Sequence, residues 1–138
     1  MDAGETIDLL RETAALKGAP EDALSELATS FHERHFESGE TIVSEGDPGG
    51  EFFLLADGEL AVTVPRSGGV AEPAGQIGAG ETFGEIATLT GGRRLATIVA
   101  ATAGRLLVLD GATFQNILHR YPAMAESVLR SLERYQKE

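Results

Sequence analysis

Arg93 and Arg94 are the only adjacent pair of arginine or lysine in a chain whose 11 Lys and Arg residues face 22 Asp and Glu, for a formal net charge of −11. They stand inside the stretch Gly78 to Thr102, GAGETFGEIATLTGGRRLATIVAAT, which also carries Gly78, Gly80 and Gly84 and two carboxylates, Glu81 and, directly after Gly84, Glu85. Glycines permit backbone conformations and close approaches that a side chain obstructs. A short helical turn starting near Glu85 would aim free N–H groups, that of Ala87 among them, at an anion in front of it. Arg94 supplies the opposite charge, on a planar fork of donors matched to phosphate oxygens. A buried Glu85 needs donors, and vicinal sugar hydroxyls or the arginine itself would serve. A carboxylate for ribose and an arginine for phosphate, nine positions apart, together point to a nucleotide.

Other phosphate and catalytic motifs are missing. The glycines are spaced G-x-G-x-x-x-G, one residue too long for the dinucleotide fingerprint, no strand-helix-strand unit surrounds them, and no G-K-[ST] P-loop occurs. There is no G-x-S-x-G elbow and no paired acid/base motif. Glu85 beside an arginine is a better hydrogen-bond acceptor than general base. His32 and His35 lie three apart without a carboxylate in matching register and His119 is distant, so neither a metal site nor a cofactor is expected. We therefore read the chain as non-enzymatic.

Composition narrows the partners. An acidic surface repels phosphate backbones, which argues against direct nucleic-acid binding. No run reaches a membrane span, the N-terminus MDAGETIDLL lacks a secretory signal's pattern, and the absence of cysteine excludes disulfides and Cys-based zinc sites. The expectation is a soluble, cytoplasmic chain without membrane insertion. Its 138 residues fit one domain with one core.

The elements that must position these residues are legible in outline. Glu5 to Leu16 carries Ile7, Leu10 and Ala14 at helical spacing, with Lys17-Gly18 as a stop; Pro20 opens a second helix bearing Leu24, Leu27, Ala28 and Phe31. From Glu33 the texture changes to apolar runs between turn signals at Ser38-Gly39, Gly46 to Gly50 and Asp57-Gly58. That rhythm indicates an antiparallel sandwich or barrel. Asp57-Gly58 reads as a type I′ hairpin, Pro65 to Pro73 as a loop, Ala74 to Ile77, Leu95 to Ala101 and Arg105 to Leu109 as strands, and Gly104 as a turn. Asp110 is expected to N-cap a helix, and Pro122 to start another through about Tyr135 with Met124, Val128, Leu132 and Tyr135 as its apolar stripe.

Residues 83 to 98, FGEIATLTGGRRLATI, resemble the phosphate-binding cassette of cyclic nucleotide-binding domains, F-G-E-x-A-L-L-x(3 or 4)-R-x-A-T/S-V. The likeness extends over most of the chain, through Gly39, Gly46 and Gly58. It implies a mainly β fold with flanking helices: N-terminal helices over 1–31, an eight-stranded, jelly-roll-like antiparallel β-roll over 32–109 with the cassette and its short helix at 78–97, and C-terminal B/C lid helices over 110–138.

The resemblance implies that Glu85 binds the ribose 2′-hydroxyl with help from the Gly84 backbone. Arg94 would pair with the exocyclic phosphate oxygens, and the amides of Ala87, Leu95 and Ala96 would complete that shell. Thr97 falls at the T/S position, lining the pocket with Phe83 and Ile86. Arg93 stands where many relatives have proline, adding charge or facing solvent, and Thr88 replaces an apolar residue. Val62 and Ile77 stand where side chains of the roll flank the purine, or belong to plain core, and Arg130, Arg134 or Tyr135 would cap the base from the last helix. Relatives selective for cGMP often carry threonine or serine after the cassette arginine. Leu95 has no hydroxyl there, so cAMP is favoured, with cGMP left open. The implied role is a sensor that couples binding to movement of the C-terminal helix and so controls an effector domain or partner protein, with a homodimer through the C-terminal helices as a further expectation. The alternatives are a ligand-free interaction module of the same fold and a fragment of a CRP-type transcription regulator.

Overall fold

The computed structural model describes residues 2–13, 16–65, 71–84 and 92–136, with Pro65, Ala71 and the last six by backbone alone. Two N-terminal helices, α1 (Ala3–Glu12) and α2 (Glu21–Ser30), precede eight strands: β1 (His32–Phe36), β2 (Thr41–Val43), β3 (Glu51–Asp57), β4 (Leu60–Pro65), β5 (Ala71–Ile77), β6 (Thr82–Phe83), β7 (Thr97–Ala100) and β8 (Gly104–Asp110). Helices α3 (Gly111–Arg120) and α4 (Pro122–Gln136) follow. The strands form two four-stranded antiparallel sheets, ordered β1-β8-β3-β6 and β2-β7-β4-β5. This is the expected β-roll with flanking helices.

The apolar runs Phe52-Phe53-Leu54-Leu55 and Leu106-Leu107-Val108-Leu109 do not alternate with polar residues, because β3 and β8 are buried on both faces. Phe52, Leu54, Leu107 and Leu109 face a cluster built by the helices, with Leu10, Leu24, Leu27, Phe114, Met124 and Val128. Phe53, Leu55, Leu106 and Val108 face the interior of the roll, with Ile42, Leu60, Ile77, Phe83 and Ile98. The molecule therefore has three layers: helices, the β1-β8-β3-β6 sheet, and the β2-β7-β4-β5 sheet. Phe52 stacks on Phe114 at 4.2 Å and 2° and joins the first layer to the second.

Caps and cross-ties fix the helices. Asp110 accepts from the Thr113 N–H at 3.2 Å, the N-cap its position predicts. Arg120 donates to both Glu26 carboxylate oxygens, at 2.7 and 2.5 Å, and the Tyr121 hydroxyl donates to the same carboxylate at 3.3 Å, so α2 and α3 are tied across 94 positions. Ser127 Oγ donates to the Lys17 carbonyl at 2.7 Å and anchors α4 to the connection after α1.

Several local expectations change. Asp57-Gly58 is no hairpin: β3 and β4 belong to different sheets, so this turn carries the chain between layers, and Gly58 alone takes a positive φ, +104°. Residues 71–73 read as loop in the sequence but belong to β5, which starts at Ala71 and sets Pro73 opposite Thr63. Proline is tolerated there because β5 is an edge strand. Helix α1 ends at Glu12 rather than running to Leu16, where the Thr13 hydroxyl turns to the carbonyls of Leu9 and Gly80. Gly104 is the first residue of β8 and not a turn; a Cβ there would sit 2.1 Å from the Asp57 carbonyl oxygen. Strand β7 begins at Thr97 rather than Leu95, because the residues before it pair with a loop instead of a strand.

Candidate functional site

That loop is the segment between β2 and β3, read from sequence only as a turn. It lies along residues 92–97 and is bonded to them from end to end. Glu45 N–H donates to Thr97 Oγ1 at 3.0 Å, Gly46 N–H to the Arg94 carbonyl at 2.9 Å, Arg94 N–H to the Asp47 carbonyl at 2.8 Å, and Gly49 N–H to the Gly92 carbonyl at 3.2 Å. Gly46 turns with φ +86°, a conformation that disfavours any side chain. Thr97, predicted to line the pocket, spends its hydroxyl oxygen on this seam.

Arg94 is thereby delivered inward. Its residue is only 8% exposed, although charged. Its Nη2 donates to the Glu51 carbonyl at 3.0 Å, its Nη1 reaches the Gly84 carbonyl at 3.5 Å, and its guanidinium lies 5.4 Å from the centroid of the Phe53 ring. A buried cation needs acceptors and an electron-rich face, and this cradle provides both. Phe53 in turn stacks on Phe83 at 4.7 Å. Both rings belong to the interior cluster that holds Ile77, with the half-buried Val62 packed against it. The arginine thus sits at the edge of the apolar cluster inside the roll.

Gly84 closes the cradle. Its φ is +93°, and a Cβ on it would stand 2.7 Å from the Glu51 carbonyl oxygen, 2.9 Å from Arg94 Nη1 and 3.2 Å from the Phe53 ring. Only glycine fits there without displacing its neighbours.

The structure therefore brings together Gly84, Arg94, Phe83, Ile77 and Val62. Arg93 and Arg94 do not act as a pair on one face: Arg94 is buried, whereas Arg93 is exposed and its Nη1 donates to the Gly46 carbonyl at 2.8 Å. Leu95 is 66% exposed and Ala96 half-buried beside it. Glu85, Ile86, Ala87 and Thr88 lie outside the described residues. Arg130 is exposed, with Glu126 at 3.9 Å on its own helix. Arg134 and Tyr135 lie on α4, with their side chains outside the described residues. Sequence reasoning missed Phe53 and the Glu51 carbonyl. The first looked like ordinary strand core, and a backbone acceptor leaves no mark in a sequence.

A family model for the cyclic nucleotide-binding domain matches residues 33–121, which includes the whole cradle. The chain belongs to the cyclic nucleotide-binding domain family. It is 34% identical over 113 residues to a cGMP-dependent protein kinase of Caenorhabditis elegans, covering 82% of this chain and 14% of that protein. To the cAMP-dependent protein kinase regulatory subunit of Dictyostelium discoideum it is 31% identical over 112 residues, covering 74% and 34%. The co-crystal structure of the regulatory domain of Toxoplasma gondii PKA with cAMP superposes with a TM-score of 0.79 at 26% identity, covering 83% of this chain and 44% of that one. The chain thus spans about a seventh and a third of the two curated relatives. A cyclic nucleotide-binding domain is a regulatory module rather than a catalytic one, and the three-layer fold described above is that module.

Proposed function

We propose that this domain is a non-enzymatic, cytoplasmic sensor of cAMP, preferred over cGMP, and that ligand binding repositions the C-terminal helix. The observation that carries the reading is the buried Arg94, held by two carbonyls and an aromatic ring beside the apolar cluster inside the roll. A cyclic phosphate carries one negative charge, and its two exocyclic oxygens match the guanidinium fork. Placing that anion against a desolvated cation gains more than the same contact would in water.

Glu85, adjacent to Gly84 in sequence, is the residue proposed to accept from the ribose hydroxyl, with the amides of Ala87, Leu95 and Ala96 around the phosphate. Phe83, Ile86, Val62 and Ile77 are proposed to flank the base. Leu95 supports the choice of base, because its side chain offers guanine no hydrogen bond and an unmatched guanine group would lose its water partner.

Coupling requires that the ligand favour one position of α4 over another. The first half of α4 is held in the helical layer by Met124 and Val128, both fully buried, and by Ser127. The second half is therefore the part proposed to close over the base, through Arg134 or Tyr135. The effector is proposed to be a further domain or a partner protein.

The test is calorimetric titration of the wild type and Arg94→Ala with cAMP and cGMP. Wild type should bind cAMP more tightly, and Arg94→Ala should lose ~2 to 5 kcal/mol of binding free energy. Equal affinity of the two proteins would remove Arg94 from the phosphate site, and no binding of either nucleotide to wild type would favour the ligand-free interaction module.

A further inference from the structure

Residues 45–51 grip Arg94 at three points. The Asp47 carbonyl holds its N–H, the Gly46 N–H holds its carbonyl, and the Glu51 carbonyl holds its guanidinium. One short loop therefore fixes both the backbone from which Arg94 departs and the place where its side chain arrives. The peptide units flanking Gly46 are held by consecutive arginines. Its N–H serves Arg94, while its carbonyl accepts from Arg93 Nη1 at 2.8 Å. Arg93 also forms the isolated antiparallel bridge with Pro48. A proline at position 48 has no N–H to give, so this seam has fewer backbone bonds than a full ladder, and a charged side-chain donor makes up part of the difference.

We propose that Arg93 is a positioning residue: by clamping the Gly46 carbonyl it holds the 45–51 loop in the register that presents Arg94 to the ligand's phosphate. This rests on the reading of Arg94 as the phosphate ligand. Arg93 plays a different part from Arg94: its residue is exposed where Arg94 is buried, and its Nη1 is committed to the Gly46 carbonyl. A second role, drawing an anionic ligand toward a chain of net charge −11, would act through long-range attraction and so has a different kinetic signature.

The experiment compares cAMP binding, by calorimetry and stopped-flow, for wild type, Arg93→Ala, Arg93→Lys, Arg94→Ala and the Arg93→Ala/Arg94→Ala double variant. It adds amide hydrogen exchange at Gly46 without ligand. Arg93→Ala should bind cAMP on the order of three- to tenfold more weakly, through faster release. Arg93→Lys, which keeps a charged donor, should recover most of that loss. Gly46 N–H should exchange faster in Arg93→Ala, and in the Arg94→Ala background the Arg93 substitution should cost nothing further. The inference is overturned if the loss appears only in the association rate and vanishes at high salt, if it persists unchanged in the Arg94→Ala background, or if Gly46 exchange does not move. If Arg94→Ala binds as well as wild type, the phosphate reading itself falls. If Arg94→Ala loses affinity and Arg93→Ala does not, only the role of Arg93 falls.

Discussion

Gly84 leaves the volume that Arg94 fills: the Cβ of any other residue at 84 would lie 2.9 Å from Arg94 Nη1 and 2.7 Å from the Glu51 carbonyl that holds the same guanidinium. The glycine is thus part of the arginine's binding site within the protein. Its positive φ, +93°, adds a second reason, because a side chain in that region costs about 1–2 kcal/mol before any clash is counted.

Gly84→Ala should therefore harm binding more than folding. The strain should lower stability by roughly 1–3 kcal/mol, measured by urea unfolding. The displaced guanidinium should weaken cAMP binding by at least about tenfold, measured calorimetrically on protein that is still folded. A variant that melts lower yet binds cAMP normally would show that Arg94 tolerates displacement from this cradle.

Leu95 should set the base preference by what it lacks. Leu95→Thr places a hydroxyl directly after the buried arginine, at a residue 66% exposed, where the change costs the core nothing. Affinity for cGMP should rise by roughly five- to twentyfold while that for cAMP changes little, read as the ratio of the two dissociation constants. An unchanged ratio would place the base elsewhere.

The order of helices, strands and helices was legible because it is written in local signals: apolar runs, turn residues, and a cap at Asp110. The pairing of strands was not. Asp57-Gly58 has the chemistry of a hairpin, yet Leu54 and Leu55 must bond β6 and β8 while Leu60 bonds β5 and β7. Nothing local distinguishes a turn within a sheet from one between sheets. Arg94 could be picked out by charge and spacing, whereas its holders could not. Glu51 acts through its carbonyl, Phe53 looks like any strand core, and Arg93, expected to add charge or face solvent, gives no sign in sequence of its bond to Gly46.

The tie between Glu26 and Arg120 makes a pH prediction. Hydrogen bonding from Arg120 holds the Glu26 carboxyl below its ordinary value of 4.5, with burial opposing and Tyr121 adding a smaller pull downward. A depressed folded-state value means stability that is present above 4.5 and is lost as pH falls through the lower folded value. Glu26→Gln should therefore lower the melting temperature at neutral pH, with the gap to wild type narrowing only below 4.5. Glu21 and Glu40 are shifted the same way by Arg11 and by the Glu37 N–H with Arg34, but they titrate alike in both proteins and cancel in the difference. The side chains are about half and over a third exposed, so the gap should be small and should shrink with added salt. A gap independent of pH would assign the loss to packing.

The first turns of α4 belong to the core and its last turns are proposed to cover the base, and truncation should separate the two. Met124 and Val128 are fully buried in the helical layer and Ser127 is bonded to Lys17, so the first turns of α4 are part of the core. Removing residues 124–138 deletes both buried side chains and should destabilise the domain by ~4–8 kcal/mol, two large-to-small core losses together. Removing only 131–138 leaves that anchorage in place. This shorter truncation should unfold in urea much as the full chain does, yet release cAMP faster, by roughly tenfold or more, since a residue capping the base slows departure rather than entry. Stopped-flow release from both truncations decides the matter. If the shorter one releases cAMP at the wild-type rate, α4 is structural throughout, and the conformational signal must leave the domain by another route, with the Glu26–Arg120 tie between α2 and α3 the next element to test.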